Sequence, residues 1–289
     1  MRVVEFRLPA DPNNAPIRVG VVDGAQVREA AGSDTSAGLK GLLDQGLDTA
    51  ALAASDGPVH DLDAIEFLPL LASTGRVFAA GLNYEKKYPA GKQPPTPTHP
   101  PWFSKLPGTL VGHDQPVVAP AVHESFDYEA ELAAVIGTGG RHIAVDQALS
   151  HVAGWTCLND GSVRAWQRHS VNAGKNFERS GSVGPWMVTA DEIDDPQDLR
   201  LMARVDGEVR QDASTSTMIF SVAEIISYLS QAIALRPGDV IATGSPEGTG
   251  GSFDPPKFLV AGQTVEIEVE GIGVLRNPVI AEADAEETA

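Results

Sequence analysis

The sequence contains little cysteine, few basic residues and no long apolar run. Its 289 residues include a single cysteine, Cys157, so no disulfide can form within the chain. This favours a reducing compartment or indifference to redox conditions. No window approaches the roughly 18 consecutive apolar residues of a transmembrane helix, and the first residues lack the apolar core of a signal peptide. We therefore expect a soluble, cytoplasmic protein without membrane contact.

Basic residues are scarce. The chain has 21 lysines and arginines but 39 aspartates and glutamates, which gives a formal net charge of -18. Nucleic acids and anionic membranes are recognised by clustered Lys and Arg, so we expect neither as a partner. Two explanations of the acidity stay open. Either it is a solvated surface that keeps the protein dispersed, or some of the carboxylates are gathered to hold a cation.

Glycine and proline are spread along the chain, with 29 and 21 residues respectively. This distribution is typical of many short strands and turns rather than of a helical bundle. We predict a mainly β (α+β) protein with a small N-terminal α/β domain at 1–72, a larger domain at 73–280 and an acidic tail at 281–289. Within the larger domain the pattern predicts a strand at 127–136 and an apolar helix at 222–234.

Two glutamates lie on the predicted strand FDYEAELAAVIG. Glu129 and Glu131 are two residues apart, so on a strand their carboxylates point to the same side, about 7 Å apart at the backbone. Such a pair needs a cation, a shared proton or full solvation, and an exposed strand face is the simple alternative. Carboxylate oxygens suit Mg²⁺, Mn²⁺ or Ca²⁺ better than zinc.

A third carboxylate follows the apolar run at 152–158. Asp160 comes where a strand is expected to end and a polar turn or helix to begin. It could simply cap that helix. Beside Glu129 and Glu131, it would instead complete a site of three carboxylates.

These segments belong to a series of motifs that occur in order along about 200 residues. The series resembles the fumarylacetoacetate hydrolase family. The motifs are GLNY at 81–84, FSKLPGTLVG at 103–112, DYEAEL at 127–132, NDGSVRAWQ at 159–167, GKNF followed by GPWMVTADEI at 184–193, TGSPEGTG at 243–250 and GIGVLRNPV at 271–279.

The resemblance implies a mixed β-sandwich roll with a smaller N-terminal domain, usually as a homodimer. It implies a divalent cation, normally Mg²⁺ with Mn²⁺ or Ca²⁺ as alternatives, held by the residues that match Glu129, Glu131 and Asp160. Family members act on small 2-oxo acids, often β-diketo acids, by C–C hydrolysis, decarboxylation, hydration or tautomerisation. A cation at the keto oxygen would stabilise the charge that develops there.

The resemblance also suggests residues that contact the substrate. Lys175 in GKNF matches the family's active-site lysine and would bind the carboxylate or polarise a carbonyl. Lys87 would close over the site and favour a second carboxylate, unless it is only a solvated loop residue. The candidate substrate contacts are Tyr84, Lys87, Lys105, Arg164, Gln167, Thr243 and Ser245.

One departure from the family pattern bears on the chemistry. The family's hydrolases read G-L-N-Y-x-x-H-x-x-E, in which His and Glu activate the attacking water. Here Lys87 and Ala90 stand at those two positions. The base could come from elsewhere, with His99, His123 and Glu247 as candidates. Otherwise the reaction needs no such pair, as in decarboxylation or tautomerisation, or the protein binds its ligand without turnover.

The first functional hypothesis is therefore a Mg²⁺-dependent hydrolase that cleaves a C–C bond in an acylpyruvate or related β-diketo acid, in catabolism. The alternatives are a decarboxylase, isomerase or hydratase of 2-oxo acids that uses the same metal site, and a non-catalytic 2-oxo acid binding protein.

Overall fold

Short strands dominate the structure, a computed structural model that describes residues 1–12, 15–30, 37–71, 75–85 and 95–286. The architecture is the predicted mainly β (α+β) class. The strands are β1 (Arg2–Arg7), β2 (Arg18–Asp23), β3 (Gln26–Glu29), β4 (Val59–Asp61), β5 (Glu66–Phe67), β6 (Val77–Ala80), β7 (Trp102–Lys105), β8 (Leu110–Val111), β9 (Val117–Ala119), β10 (Phe126–Asp127), β11 (Ala130–Ile136), β12 (Val152–Asn159), β13 (Ser162–Val163), β14 (Gly181–Thr189), β15 (Arg200–Val205), β16 (Glu208–Ser214), β17 (Val240–Ala242), β18 (Thr264–Val269) and β19 (Gly273–Ala281).

The helices are short, and none of those described is long and apolar enough to cross a membrane. The α-helices are α1 (Gly38–Asp44), α2 (Thr49–Ala53), α3 (Arg164–Gln167), α4 (Val171–Lys175), α5 (Val222–Ala232) and α6 (Glu282–Glu286). Short 3₁₀ helices occur at Leu62–Ala64, Val145–His151, Ala190–Glu192, Thr215–Thr217 and Gly250–Ser252.

Two mixed sheets carry most of the strands. The larger has 12 strands in the order β4-β3-β2-β1-β14-β12-β11-β17-β6-β7, with β5 paired to β1 and β8 to β14. The smaller has five in the order β16-β15-β18-β19-β9. The N-terminal strands join the larger sheet directly, since β1 pairs antiparallel with β14 at Val3 and Met187. The predicted N-terminal segment therefore shares a sheet with the rest of the chain, and its division at residue 72 stays a prediction.

The core lies on both faces of the larger sheet. Leu132 and Ala134 of β11 are buried in one cluster with Leu201 of β15, between the two sheets. Ala133, between them in sequence, is buried in a second cluster with Leu39 of α1. Because successive side chains of a strand point to opposite faces, β11 needs an apolar residue wherever a side chain faces one of these two clusters. Its burial on both sides places the strand at the centre of the molecule.

The strand predicted at 127–136 is divided into β10 and β11. Asp127 pairs with β13, whereas Ala130 pairs with Asn159 in β12. Glu129 lies between β10 and β11, where the chain changes partner strand. Its backbone N–H donates to Asn159 Oδ1 at 3.1 Å instead of to a backbone carbonyl of a paired strand. This change of partner strand brings Glu129 and Glu131 to the end of β12, where Asp160 follows.

The apolar helix predicted at 222–234 is α5, Val222–Ala232, which ends two residues earlier. Ser221 and Glu224 form a reciprocal capping box at its start, the arrangement that satisfies two otherwise unpaired N–H groups. Ile233 takes an extended conformation and ends the helix.

A buried carboxyl outside the acidic segment ties the N-terminal strands to their neighbours. Glu5 of β1 accepts the backbone N–H of Leu39 at 2.8 Å and that of Leu71 at 2.7 Å. Burial raises the pKa of the Glu5 carboxyl to about 7, and the two N–H donors offset only part of that shift. Folding therefore buries a group that ionises near neutral pH.

We predict that Glu5 makes stability depend on pH. Below about pH 4.5 the carboxyl is protonated in both folded and unfolded chains, and its burial costs least. Between that value and about pH 7 the unfolded chain loses the proton while the folded chain keeps it, so the free energy of unfolding should fall by roughly 3 kcal/mol across this range, relative to Glu5→Gln. Denaturant titrations of both proteins between pH 4 and pH 8 measure this difference. The exposed Glu124→Gln variant is the control, and a difference that does not change with pH would contradict the prediction.

Candidate functional site

Three carboxylates meet where β12 ends and β10 passes to β11. Oxygen atoms of Glu129, Glu131 and Asp160 all lie within 4.8 Å of one another, and the three side chains are buried. The backbone N–H of Asp160 donates to the Glu129 carbonyl at 3.0 Å, which fixes the two segments side by side. An all-oxygen donor set of this kind suits a hard divalent cation.

Two buried lysines contact this carboxylate cluster (Glu129, Glu131 and Asp160). Lys175, the last residue of α4, donates to Glu129 and, at 2.6 Å, to Asp160 Oδ2. Lys105 of β7 donates to Asp160 Oδ1 at 2.8 Å and to the backbone carbonyl of Lys175. Three carboxylates therefore face two ammonium groups, so the ionised cluster can accept further positive charge.

The pKa values of these groups follow from burial and from their neighbours. Burial, with the charges of Asp160 and Glu129, raises the pKa of the Glu131 carboxyl well above its usual range. Burial alone would lower the pKa of the Lys175 amine, but Asp160 and Glu129 outweigh it and raise that pKa. The pKa of the Lys105 amine is lowered, since burial outweighs the attraction of Asp160. Lys175 is thus held protonated, and Glu131 carries the carboxylate charge that most needs a cation.

Arg164 connects the cluster to a further buried carboxylate. Its Nε donates to Asp127 Oδ2 at 2.7 Å and its Nη2 to Glu129 Oε1 at 2.9 Å. Asp127 also accepts the backbone N–H groups of Gly250, at 2.6 Å, and Gly251, at 3.0 Å. Asp127 therefore fixes Arg164, and Arg164 fixes one oxygen of Glu129. Asp127 was not among the predicted site residues, although it stands in the same DYEAEL motif.

The glycine-rich turn at 243–250 holds Glu131 through its backbone. The N–H of Gly244 donates to Glu131 Oε2 at 2.8 Å. Gly244 has a φ of +96°, and a Cβ there would lie 2.7 Å from the Cβ of Asn83, so only glycine fits. The Thr243 hydroxyl donates to the Leu132 carbonyl at 2.8 Å.

Ser245, a second candidate substrate contact in this turn, accepts the side-chain N–H of Gln211 at 2.9 Å. Its own hydroxyl proton is therefore left to donate. Gln211 is a further residue that the sequence analysis missed, because only the folded chain brings β16 to this turn.

Two buried polar atoms beside the cluster lack a hydrogen-bond partner among the described residues. They are the hydroxyl of Tyr84 and the side-chain nitrogen of Asn159. Burial and the nearby charge of Glu131 raise the pKa of the Tyr84 hydroxyl. Buried donors are rarely left unpaired, so these atoms, with the three carboxylates, fit a site that binds a cation and an oxygen-bearing ligand.

The three candidates for the general base lie on the surface. His99 is exposed and stacks on Tyr228 of α5, with ring centroids 5.9 Å apart. His123 is exposed and accepts the backbone N–H of Ser125 at Nδ1. Glu247 is exposed in the glycine-rich turn. Within the described ranges, none of the three makes a hydrogen bond or ion pair with the carboxylate cluster.

Two predicted positions cannot be compared with the structure. Lys87 and Ala90 lie outside the described residues. Gln167, by contrast, accepts Arg164 Nη1 at 3.1 Å and so lies close to the cluster.

The chain belongs to the fumarylacetoacetate hydrolase family. A family model described as the C-terminal domain of fumarylacetoacetate (FAA) hydrolase matches residues 76–280, which include the carboxylate cluster and both lysines. The chain is 35% identical over 290 residues to the mitochondrial oxaloacetate tautomerase FAHD2A of Homo sapiens, an alignment that covers 97% of this chain and 92% of the human protein.

Solved structures of similar proteins cover nearly the whole chain. A 2-hydroxyhepta-2,4-diene-1,7-dioate isomerase from Mycobacterium marinum is 32% identical, with a TM-score of 0.77 and coverage of 98% of this chain and 99% of that one. A maleylpyruvate hydrolase from Sphingobium sp. SYK-6, in complex with manganese (II) and pyruvate, is 28% identical, with a TM-score of 0.77 and coverage of 97% and 99%. These relatives thus include a tautomerase, an isomerase and a hydrolase.

We predict that Asp127 sets the metal affinity of the cluster through Arg164. Asp127→Asn removes the charge that orients Arg164, so Glu129 loses part of its support. Loss of such a supporting contact typically weakens metal binding by about 10–100-fold. Calorimetric titration of Mg²⁺ and Mn²⁺ into chelator-treated protein measures the change.

The control for this experiment is Asp212→Asn, which breaks an exposed Asp–Arg pair with Arg200. It should leave the metal affinity at the wild-type value. Equal affinities for Asp127→Asn and Asp212→Asn would show that Asp127 does not act on the cluster.

Proposed function

We propose that this chain is a divalent-cation-dependent enzyme that interconverts the keto and enol forms of a small 2-oxo acid. The observation that carries the proposal is the buried carboxylate cluster with two lysines against it. With Glu131 ionised, the three carboxylates of this site outnumber the two ammonium groups. A dication and the carboxylate of a 2-oxo acid together would bring it close to neutrality, which favours binding both.

Glu129, Glu131 and Asp160 would hold the cation, normally Mg²⁺ in this family, with Mn²⁺ or Ca²⁺ as alternatives. The cation, when bound, stabilises negative charge that develops on the keto oxygen. Lys175 stays protonated because two carboxylates raise its pKa, so it donates a hydrogen bond to the substrate and does not remove a proton. The unpaired hydroxyl of Tyr84 supplies a further donor.

Tautomerisation is favoured because it moves a proton between carbon and oxygen without an attacking water. It still needs a group that takes the proton from carbon, for which His99, His123 and Glu247 are the candidates. Lys87 and Ala90 stand where the family's hydrolases have the water-activating His and Glu, so hydrolysis would need a base from elsewhere. The human relative of similar length is named an oxaloacetate tautomerase. Both points support proton transfer at the carbon beside the keto group as the reaction.

Hydrolysis of a C–C bond in an acylpyruvate or related β-diketo acid is the second candidate. It is supported by the similarity to a maleylpyruvate hydrolase that binds manganese and pyruvate. His99, His123 and Glu247 are the candidates for its base. Substrate contacts by Lys87, Lys105, Arg164, Gln167, Thr243 and Ser245, a homodimeric state and a cytoplasmic location stay predictions.

We predict that activity requires Glu131 and a divalent cation. Glu131→Gln keeps the size of the side chain but removes its charge. The metal affinity, and the rate at which the enol of oxaloacetate is converted to the keto form, should therefore both fall at least about 100-fold. The matched control is the exposed Glu178→Gln, which should retain wild-type rates. Undiminished turnover in excess chelator would contradict a metal-dependent reaction.

Product analysis separates the two candidate reactions. With Mg²⁺, a tautomerase consumes the enol of oxaloacetate without change of mass and leaves an acylpyruvate intact, whereas a hydrolase splits the acylpyruvate into two acids. Release of CO₂ would indicate decarboxylation instead. Binding of oxalate only in the presence of Mg²⁺, with no turnover of any tested 2-oxo acid, would indicate a binding protein.

A further inference from the structure

Gln211 is a buried polar residue on the edge strand of the smaller sheet. Of the seven residues of β16 it alone is buried, whereas Val209, two positions earlier, is 51% exposed. β16 is the first strand in the order of its sheet. A strand that packs on a core normally buries its apolar side chains and leaves the polar ones in water. The opposite arrangement at these two positions shows that the burial of Gln211 does not follow from polarity.

A β-bulge at Arg210 explains which way Gln211 points. Val209 pairs with Arg204 and Gln211 pairs with Ala203, so Arg210 is an extra residue in β16. Without it, residues 209 and 211 would face the same side of the sheet. With it, Gln211 turns inward beside the buried Ala203, and Val209 turns outward. Bulges re-aim side chains in this way, often next to functional sites.

The side-chain amide of Gln211 bridges two distant segments of the chain. Its Oε1 accepts the backbone N–H of Ala130 at 2.9 Å, and Ala130 stands between the two glutamates of the carboxylate cluster. Its Nε2 donates to the Pro246 carbonyl at 2.8 Å and to the Ser245 hydroxyl at 2.9 Å. A backbone N–H only donates and a carbonyl only accepts, so the amide fits in one orientation.

Both bridged segments hold Glu131. Ala130 precedes it in β11, and Gly244 of the glycine-rich turn donates its N–H to Glu131 Oε2 at 2.8 Å. The turn also lies directly against the bulge, because a Cβ at Gly248 would be 1.9 Å from the carbonyl oxygen of Arg210. Gly248 has a φ of +99°, so only glycine permits this approach. β16 therefore contacts the turn through a side chain and through its backbone.

We propose that Gln211 is a positioning residue of the carboxylate cluster. It keeps β11 and the glycine-rich turn at a fixed separation, so that Gly244 binds one oxygen of Glu131 and the carboxylate stays close to Glu129 and Asp160. The proposal rests on the cation site proposed above and adds a contribution from the smaller sheet. Gln211 acts through backbone groups of Ala130 and the turn.

The test compares Gln211→Met with Gln197→Met. Methionine has nearly the length of glutamine but lacks the amide donors and acceptor. Gln197 is a half-buried glutamine that also bridges two backbone groups. It donates to the Thr215 carbonyl at 3.2 Å and accepts the Val222 N–H at 2.7 Å. Both variants lose a bridge of the same kind, but only Gln211 bridges segments that hold the cluster.

Two measurements follow the effect on the cluster. In metal-free protein, amide hydrogen exchange measured by NMR should be at least about tenfold faster at Gly244 in Gln211→Met than in wild type, because the turn opens more often. Calorimetric titration should show Mn²⁺ binding at least about tenfold weaker, as is typical when a supporting contact of a metal ligand is lost. Gln197→Met should match wild type in both measurements.

Unchanged exchange at Gly244, a wild-type affinity for Mn²⁺, or an equal change in Gln197→Met would overturn the proposal. If wild-type protein does not bind Mn²⁺, the proposed cation site fails, and exchange at Gly244 alone decides the role of Gln211. Thermal melts show whether Gln211→Met folds. If it does not, Gln211→Asn takes its place, since this side chain keeps the amide but is too short to reach both Ala130 and Pro246.

Discussion

The site depends on one electrostatic constraint, the burial of three carboxylates within 4.8 Å of one another. Like charges at that separation repel strongly in a poorly solvated interior, so the fold must supply compensating groups. It does so with Lys175 and Lys105, which come from α4 and β7, and with the backbone N–H of Gly244. The Asp127–Arg164 pair then orients Glu129 from the opposite side. These compensating groups come from separate elements of the chain, so only the folded protein brings them to the carboxylates.

Local patterns in the sequence were sufficient to predict the groups that lie close together along the chain. The spacing of Glu129 and Glu131 predicted that their carboxylates face the same side, and the pattern predicted a strand at 127–136, most of which is β11. The motifs predicted the family, which the match over residues 76–280 confirms. Such features are visible because strand periodicity and short motifs are local properties.

Contacts between distant segments could not be predicted in the same way. Asp127 was visible in DYEAEL, but its role depends on Gly250 and Gly251, more than 120 residues later. The break between β10 and β11 arises because the chain changes partner strands at Glu129, which alternation does not reveal. Glu5 had no sequence signal either, since the N–H groups that it binds belong to α1 and to Leu71. In each case tertiary packing decides what the residue does.

The acidity of the chain has two separate parts. Three carboxylates form the buried cluster, and most of the other acidic residues that the structure describes lie on the surface. The central claim is that the cluster holds a divalent cation. An anomalous difference map from a crystal soaked in Mn²⁺ tests it most directly. The account predicts one strong peak among the oxygens of Glu129, Glu131 and Asp160. A fully soaked crystal without a peak there, with Lys175 still bridging Glu129 and Asp160, would contradict it.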